Sequence, residues 1–580
     1  MKIHFFFLFY FSFAILNAQS PNWAWANTAG SASNFDFSGM GDLYGSTIAT
    51  DKYGNSYITG HFTGTAVFGS LTVSSPAFPA VFTAKYDSSG HCLWVKHFGV
   101  PVPPPPAPMQ MANNGKAIAI DSLGNCYLTG TFNGSPTDTI YFGNSKLAGY
   151  DNARQEIFIA KYDANGTELW ARQSKYLSGI GVDVSTSISV DKAGNNFVSF
   201  YLNMDNVAGF GSLPVVSGHG AYVVKHDASG NVQWIQKLGT ANAPPNGVFV
   251  YAIQNDESGN CYVTGALSGT AVIGSTPPST LSSIGTLDTY VAKLNANGNI
   301  AWVKQFGSPQ QSSYGNAIGI DAIGNLSFAG NFNAQVVIGP YTLTSLSPSA
   351  SPAYNTCFAK LDAFGNVLWA NSLPITESNI GAIKVNAAGD VYFVARISGT
   401  SVFCGSAIPA SAGMLVGKLN PAGNCQWVQY ANASANSISA SGLGIDAQED
   451  LYLAGYIQNS ANFGTHNIQS AGGYDVMLAK LTSGITNTVT TFTAEMVNGS
   501  KVLVYPNPFD AEINFEWPTG AGEGTAVIVL SNLLGEELLR AELGQGNRVT
   551  IPKGELPSGM YFYKVSAGGQ NVGSGKILRR

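Results

Sequence analysis

Few residues in this chain are equipped for catalysis, and none is spaced for it. Beyond His4 the histidines are His61, His91, His97, His219, His226 and His466. None falls in a His-x-His or His-Glu-x-x-His pattern, and no Gly-x-Ser-x-Gly elbow, phosphate loop or EF-hand spacing occurs. His91 and His226 flank hairpin turns and read as solvated turn residues. The six cysteines, Cys92, Cys126, Cys261, Cys357, Cys404 and Cys425, show no CxxC or Cys/His zinc spacing. Four of them occupy repeated positions that lie far apart in space, so most are expected as buried thiols, although export would permit disulfides. No catalytic, cofactor-binding or metal-ligating residue is assigned.

What does recur is a pair of phrases. The first, apolar-Asp-x-x-Gly-Asn-x-Tyr-x-x-Gly, begins at Asp51, Asp121, Asp191, Asp256, Asp321, Asn386 and Asp446. Phe197 and Ser327 replace its Tyr in two copies. Its carboxylate is rich in calcium-ligand chemistry, but one turn offers too few oxygens for six- to eight-fold coordination, so it is expected to cap the hairpin. The second phrase, Lys-x-Asp/Asn-x-x-Gly-x-x-x-Trp, carries Lys85, Lys161, Lys225, Lys293, Lys360, Lys418 and Lys480. A charge kept in every copy needs a recurrent partner or snorkelling path, and the turn Asp is the expected partner. Asn386 lacks that charge, so Lys418 must look elsewhere, to Asp390, and Lys293 is expected to be held more firmly than Lys418. A ring of cations around a polyanion is the competing reading. Acidic residues five before the Lys (Glu156, Asp288 and Asp475, with Asn355 in another copy) read as strand-edge hydrogen-bond partners.

These residues must be positioned by strands. Each copy reads as two hairpins, with a tight turn inside each, so four strands per repeat of 60 to 70 residues. An apolar-Gly pair between the hairpins, such as Phe68-Gly69 or Phe142-Gly143, reads as a packing plug. The Trp series is Trp94, Trp170, Trp234, Trp302, Trp369 and Trp427, and the seventh copy ends without one, whereas Trp23-Ala24-Trp25 stands near the N-terminus. A ring explains that arrangement, with one N-terminal strand completing the last repeat. The expected fold is therefore all-β: a seven-bladed β-propeller over 20–484, closed by an N-terminal strand, with Trp25 placed in the last blade as Trp94 is in the first.

Residues 1–18 read as a signal peptide, with Lys2, an apolar Phe5–Leu16 stretch and a small-residue cleavage zone, and no later segment is apolar enough to be a transmembrane span. Charged residues are only 11% of the 580, the net charge is -6 and no basic run occurs, which argues against a nucleic-acid partner. Residues 485–500 read as a Thr-rich linker. Seven strand-like runs follow in 501–580, the size of a small Ig-like β-sandwich.

The paired phrases resemble the bacterial β-propeller repeat known as SBBP, which implies a propeller and nearly nothing about function. In the tail, Val504-Tyr505-Pro506-Asn507-Pro508, Leu534-Gly535-Glu536, Leu556-Pro557-Ser558-Gly559-Met560-Tyr561 and Gly575-Lys576 resemble the C-terminal sorting domain of type IX secretion. That resemblance implies a secreted or outer-cell-surface protein of a Bacteroidetes-type cell, handled by the type IX machinery through residues 501–580. The expected function is non-catalytic binding of an extracellular glycan or protein through the loop-rich face (Thr63–Pro79, Asn133–Gln155, Leu267–Leu287, Asn333–Tyr354 and the excursion Pro101–Pro108). A polysaccharide-degrading enzyme and a structural matrix component remain the alternatives.

Overall fold

The turn chemistry of the two phrases builds the whole first unit. In a computed structural model of the chain, the described residues run from 21 to 483 and from 502 to 579, interrupted at 31–46, 100–112, 133–138, 347–353 and at other loop segments. The expected signal peptide, the 485–500 linker and the Pro101–Pro108 excursion lie outside them. Among the described residues there are strands and no helix, hence none able to cross a membrane. The chain divides into two compact units, Met1–Thr486 and Asn487–Arg580.

In the first unit, each repeat makes one antiparallel four-stranded sheet with strands in chain order. The second sheet is representative: Asn114–Ile120, Cys126–Phe132, Glu156–Tyr162 and Glu168–Gln173. The other sheets have first strands Ile48–Thr50, Val184–Val190, Gly247–Asn255, Ser313–Ile320, Glu377–Val385 and Ile438–Ile445. The fourth strand of the seventh sheet is Asn22–Ala29, which pairs antiparallel with His466–Thr482. Trp25 faces Lys480 in that register, as Trp94 faces Lys85 in the first sheet. No sheet closes on itself, and the sixth and seventh merge into one eight-stranded sheet where Asn432 and Ala433 meet Asn462 and Ala461.

Each first hairpin turns on its Asp in the expected way. Asp121 Oδ1 accepts the amides of Leu123 and Asn125 at 3.0 and 2.9 Å, while Oδ2 accepts the Asn125 side chain at 2.8 Å. Gly124, at φ 78°, supplies the left-handed step that L side chains adopt only at a cost. Both carboxylate oxygens are thereby committed to the turn. The connections between second and third strands carry small extra hairpins, such as Thr139–Phe142 with Ser145–Ala148 and Gln335–Ile338 with Tyr341–Thr344. The apolar-Gly pairs sit at their tips, with Phe68, Phe142, Ile338 and Phe463 buried. The connections expected as variable loops are thus partly β-structure.

Neighbouring sheets are joined by the Trp and Tyr of the repeat. Trp94 Nε1 donates to Ala164 O, in the second-hairpin turn of the next sheet, at 3.2 Å. Trp170, Trp234, Trp302 and Trp369 do the same to Ala228, Ala296, Ala363 and Pro421 at 2.9 to 3.2 Å. The turn glycine beneath must lack a side chain: a Cβ on Gly166 would stand 2.9 Å from the Trp94 ring. The Gly and Trp of the second phrase are therefore partners across sheets, not within one. Trp25 donates to Ser88 O at 3.1 Å, so the seventh sheet meets the first by the same contact. Apolar clusters fill the spaces between sheets, and one of them unites Ile48, Phe62 and Phe82 of the first sheet with Tyr452, Ala454 and Leu478 of the seventh.

The second unit has two antiparallel sheets. One is Leu503–Tyr505, Glu512–Glu516 and Arg548–Pro552, and the other is Glu537–Leu543, Ala526–Ser531, Gly559–Ala567 and Gln570–Arg579. They share one core containing Ile513, Phe515, Trp517, Ile528, Tyr563 and Val565. Asn507 ties the start of the unit to its last strand: it donates to Lys576 O at 3.2 Å and accepts from Leu578 N at 2.9 Å.

Two sequence expectations need correction. His226 is not a solvated turn residue: it is 2% exposed at the end of a third strand, and burial lowers its pKa to about 4. His91 is exposed, 3.2 Å from Asp87. Cys425 is disulfide-bonded to Cys404, with Cα atoms 5.6 Å apart, because the sixth repeat's longer plug brings Cys404 beside it. The other four cysteines are free, and Cys126, Cys261 and Cys357 are buried.

Candidate functional site

The repeated lysines can be assessed first. Each Lys faces the first-phrase Tyr position on one side and the Trp on the other in the strand register, as Tyr57, Lys85 and Trp94 do, and the residue there is aromatic in all copies but the fifth. Lys85, Lys161, Lys225, Lys293, Lys418 and Lys480 lie 4.7 to 5.0 Å from the ring centroids of Tyr57, Tyr127, Phe197, Tyr262, Tyr392 and Tyr452. Where Ser327 removes the ring, Lys360 instead approaches Asp321 at 3.0 Å. Lys161 reaches Asp121 at 3.8 Å. The expected Asp partner is thus present in only part of the series. Lys480 uses Asp450 at 3.0 Å rather than Asp446. Lys85, Lys225 and Lys293 have no carboxylate oxygen within 4.0 Å among the described residues, and ring contact stands in its place.

Lys418 is the best-paired member, contrary to expectation. It meets Asp390 at 3.0 Å and Glu449 of the seventh sheet at 3.1 Å. Glu449 stands where six copies have Gly, at φ 61°. Its carboxylate also accepts from Asn386 Nδ2 at 2.8 Å and from the Tyr392 hydroxyl. The charge lost at Asn386 is therefore supplied from the adjacent sheet. Burial alone would raise the Glu449 carboxyl, but bonds from Tyr392, Lys418 and Asn386 hold it below its usual value.

The acidic positions at the start of the third strands hold their own connections. Asp288, fully buried, accepts the Ile284 and Gly285 amides at 2.6 and 3.0 Å and the Gln305 side chain at 2.6 Å. Asn355 likewise accepts the Leu346 amide at 3.1 Å. This is strand-edge bonding, as the sequence suggested.

The features that stand out from the repeat lie at the ends of the sheets remote from the Asp turns. Four residues beyond the first-phrase Tyr, the seven sheets present His61, Thr131, Tyr201, Ala266, Asn331, Arg396 and Tyr456. Every first strand whose start is described in sheets two to seven carries a β-bulge near that end, for example between Val250 and Ala252 and between Gly315 and Ala317. A bulge re-aims a side chain and is common beside working sites. One bulged residue is Tyr251. It belongs to a run of rings, all half-buried, that crosses the third, fourth and fifth sheets. Centroids are 5.2 Å apart for His219–Tyr201, 5.1 Å for Tyr201–Phe249, 6.4 Å for Phe249–Tyr251, 6.2 Å for Tyr251–Tyr314 and 5.4 Å for Tyr314–Tyr354. Tyr201 bonds to His219 Nε2, and burial pushes the phenol up to about 12. Sequence reading missed this strip, because its members are spread over 154 residues from Tyr201 to Tyr354. The available signal was aromatic residues at positions where most other copies are not aromatic.

The first strands also surround a cavity of about 260 Å³, lined by residues from all seven sheets. Tyr251 reaches both the aromatic strip and this lining. Lys384 is the one charged residue in the lining among the described residues, and its partial desolvation lowers its pKa. No group of three or more metal-ligating side chains is assembled among the described residues.

Comparisons with known proteins follow the division into two units. Over 426 residues the chain is 24% identical to an uncharacterised WD repeat-containing protein of Acanthamoeba polyphaga mimivirus, a match that covers 59% of this chain and 28% of that protein. The chain thus spans under a third of that curated relative. Among solved structures, a protein of unknown function from Bacteroides caccae aligns at TM-score 0.30 and 10% identity, over 64% of this chain and 93% of that one. A member of the duf4221 family from Bacteroides vulgatus aligns at TM-score 0.27 and 8% identity, over 61% and 91%. Residues 503–578 match the family model of the secretion system C-terminal sorting domain. This tail marks the protein for type IX secretion and for the cell surface, and it implies interaction with that secretion machinery.

Proposed function

We propose that residues 20–484 form a seven-bladed β-propeller of the SBBP-repeat type that binds an extracellular glycan, without catalysis, through the face carrying the aromatic strip. Three contacts between the seventh sheet and the first support the ring: Trp25 on Ser88, Thr47 on Ser441 at 3.1 Å, and the Ala447 amide on Lys52 O at 3.3 Å. The likeness to a WD repeat-containing protein agrees with four-stranded blades.

The run His219–Tyr201–Phe249–Tyr251–Tyr314–Tyr354 carries the functional reading. Half-buried aromatic rings have a negative face that meets the C–H face of a pyranose. Rigid strands fix these rings, so little entropy is lost on binding. A surface-exported protein meets polysaccharide outside the cell. The test is affinity electrophoresis and calorimetry of the secreted protein against a panel of polysaccharides, with Tyr251→Ala and Tyr314→Ala. Binding should weaken at least tenfold while the melting temperature holds. Unchanged binding in both variants would refute the assignment. Turnover of a polysaccharide would replace it with the enzymatic reading, and no binding across the panel would favour a structural surface component.

A further inference from the structure

The central cavity holds a cation that the repeat does not require. Lys384 pairs with Tyr392 in the strand register. The equivalent residues opposite the first-phrase position in the other sheets are Ala49, Ala119, Ser189, Gln254, Gly319 and Gly444. All are neutral, and most are small. Blade packing at this level therefore works without a lysine, and the one present needs a separate explanation.

Among the described residues, the lining of the cavity contains no carboxylate. The acidic groups of the adjoining turns are already engaged, Asp390 and Glu449 by Lys418 and Asn386. No ion pair or hydrogen bond to Lys384 is formed among the described residues. A half-buried ammonium without a counter-charge is unfavourable, and it is stabilised either by losing its proton or by an anion beside it. At about 260 Å³ the cavity has room for more than a single water. Hydroxyl and amide groups also line it, with Gln254 at the same register level as Lys384 and Thr50 and Ser441 on other strands.

We propose that the cavity is a binding site for one small oxyanion, held by the Lys384 ammonium with the Gln254 amide as a further donor. The shared chemistry is a compact, singly or doubly charged oxygen acid, whether a free carboxylate, inorganic sulfate or phosphate, or the acid group of a small sugar acid. This site adjoins the aromatic strip at Tyr251, but the anion reading does not depend on the strip binding a glycan.

The experiment is a thermal-shift titration of the full secreted protein at constant ionic strength, chloride being replaced stepwise by sulfate, phosphate, acetate or glucuronate. The four arms identify the source. Wild type should show a saturable rise in melting temperature with at least one of them. Lys384→Gln should shift the half-saturating concentration at least tenfold, and Gln254→Ala by a smaller factor. A second readout uses reductive ¹³C-methylation, with the Lys384 resonance assigned by its loss in Lys384→Gln or, should that variant fail to fold, in Lys384→Arg. That resonance should move to saturation with the same anion. An anion effect that is linear in concentration and equal in wild type and Lys384→Gln, or a Lys384 resonance that stays fixed throughout, would overturn the proposal.

Discussion

Glu449 offers a sharp test of how the sheets depend on each other. It occupies a left-handed position, at φ 61°, that costs a non-Gly residue roughly 1–2 kcal/mol. It also makes contacts to Lys418, Asn386 and Tyr392 of the neighbouring sheet. A hydrogen bond to a charged group contributes about 1.5–3 kcal/mol, and this carboxylate is 30% exposed, so the lower end applies. The contacts outweigh the strain, and Glu449→Gly should destabilise by roughly 2–3 kcal/mol. Asn386→Asp alone should also destabilise, by about 2 kcal/mol. It turns donor contacts to Asp390 and Glu449, at 3.0 and 2.8 Å, into like-charge contacts. Combined, the two changes restore the pattern of the other copies, with a turn carboxylate beside Lys418 and no side chain at the left-handed position. The seventh sheet already tolerates such a turn, with Asp446, Asp450 and Lys480 together. The double variant should therefore lie within about 1 kcal/mol of the parent, a coupling of roughly 3 kcal/mol by double-mutant cycle. Urea midpoints of the four proteins measure it. Additive losses, within about 0.5 kcal/mol, would show that Glu449 does not replace the missing charge.

Other outcomes follow from the same contacts. Trp25→Ala removes an indole packed against Gly90 and its bond to Ser88, and should cost about 2–4 kcal/mol in a urea melt; a parent-like midpoint would disprove the seventh-to-first junction. Lys418→Met leaves two carboxylates without their cation and should cost about 2–4 kcal/mol, whereas Lys293→Met loses a ring contact 5.0 Å away and should cost about 1 kcal/mol. Equal midpoints for the two would remove the distinction between them. The folded-state pKa of Glu449 is depressed, so its contribution is present above its unfolded value near 4.5 and is lost as pH falls through the folded one. The difference in stability between wild type and Glu449→Gly should shrink below about pH 4, measured by melting temperature against pH.

The scaffold was legible because its parts are local and repeated. Asp121, Gly124 and Asn125 are neighbours in sequence, and one turn uses them all. The missing seventh Trp and the N-terminal Trp25 could be matched because the register demands a Trp opposite each Lys. The lysine partners were read less well. Period-two reasoning placed Lys and Asp at one end of their strands, but it could not weigh a Tyr ring 4.9 Å away against a carboxylate. Nor could it foresee that the partner of Lys418 would come from 31 residues downstream, in another sheet. His226 was misjudged because its place beside a turn in sequence hid a buried side chain.

A repeat averages its copies, so what it shares describes the scaffold, and function must be sought in the departures from it. Six of the seven residues level with Lys384 are neutral, and among the described residues only the fourth and fifth first strands open with aromatic residues, Phe249, Tyr251 and Tyr314. Such departures carry little signal one at a time, since a lone Tyr or Lys is common on any strand. They gain meaning only when folding brings them together. Tyr201 and Phe249 are 48 residues apart in sequence and stack at 5.1 Å because successive sheets align the ends of their strands. Lys384 becomes notable only once the cavity around it proves to lack a carboxylate. In such a chain the constant positions predict the fold, while any ligand must be read from the positions where one repeat differs from its neighbours.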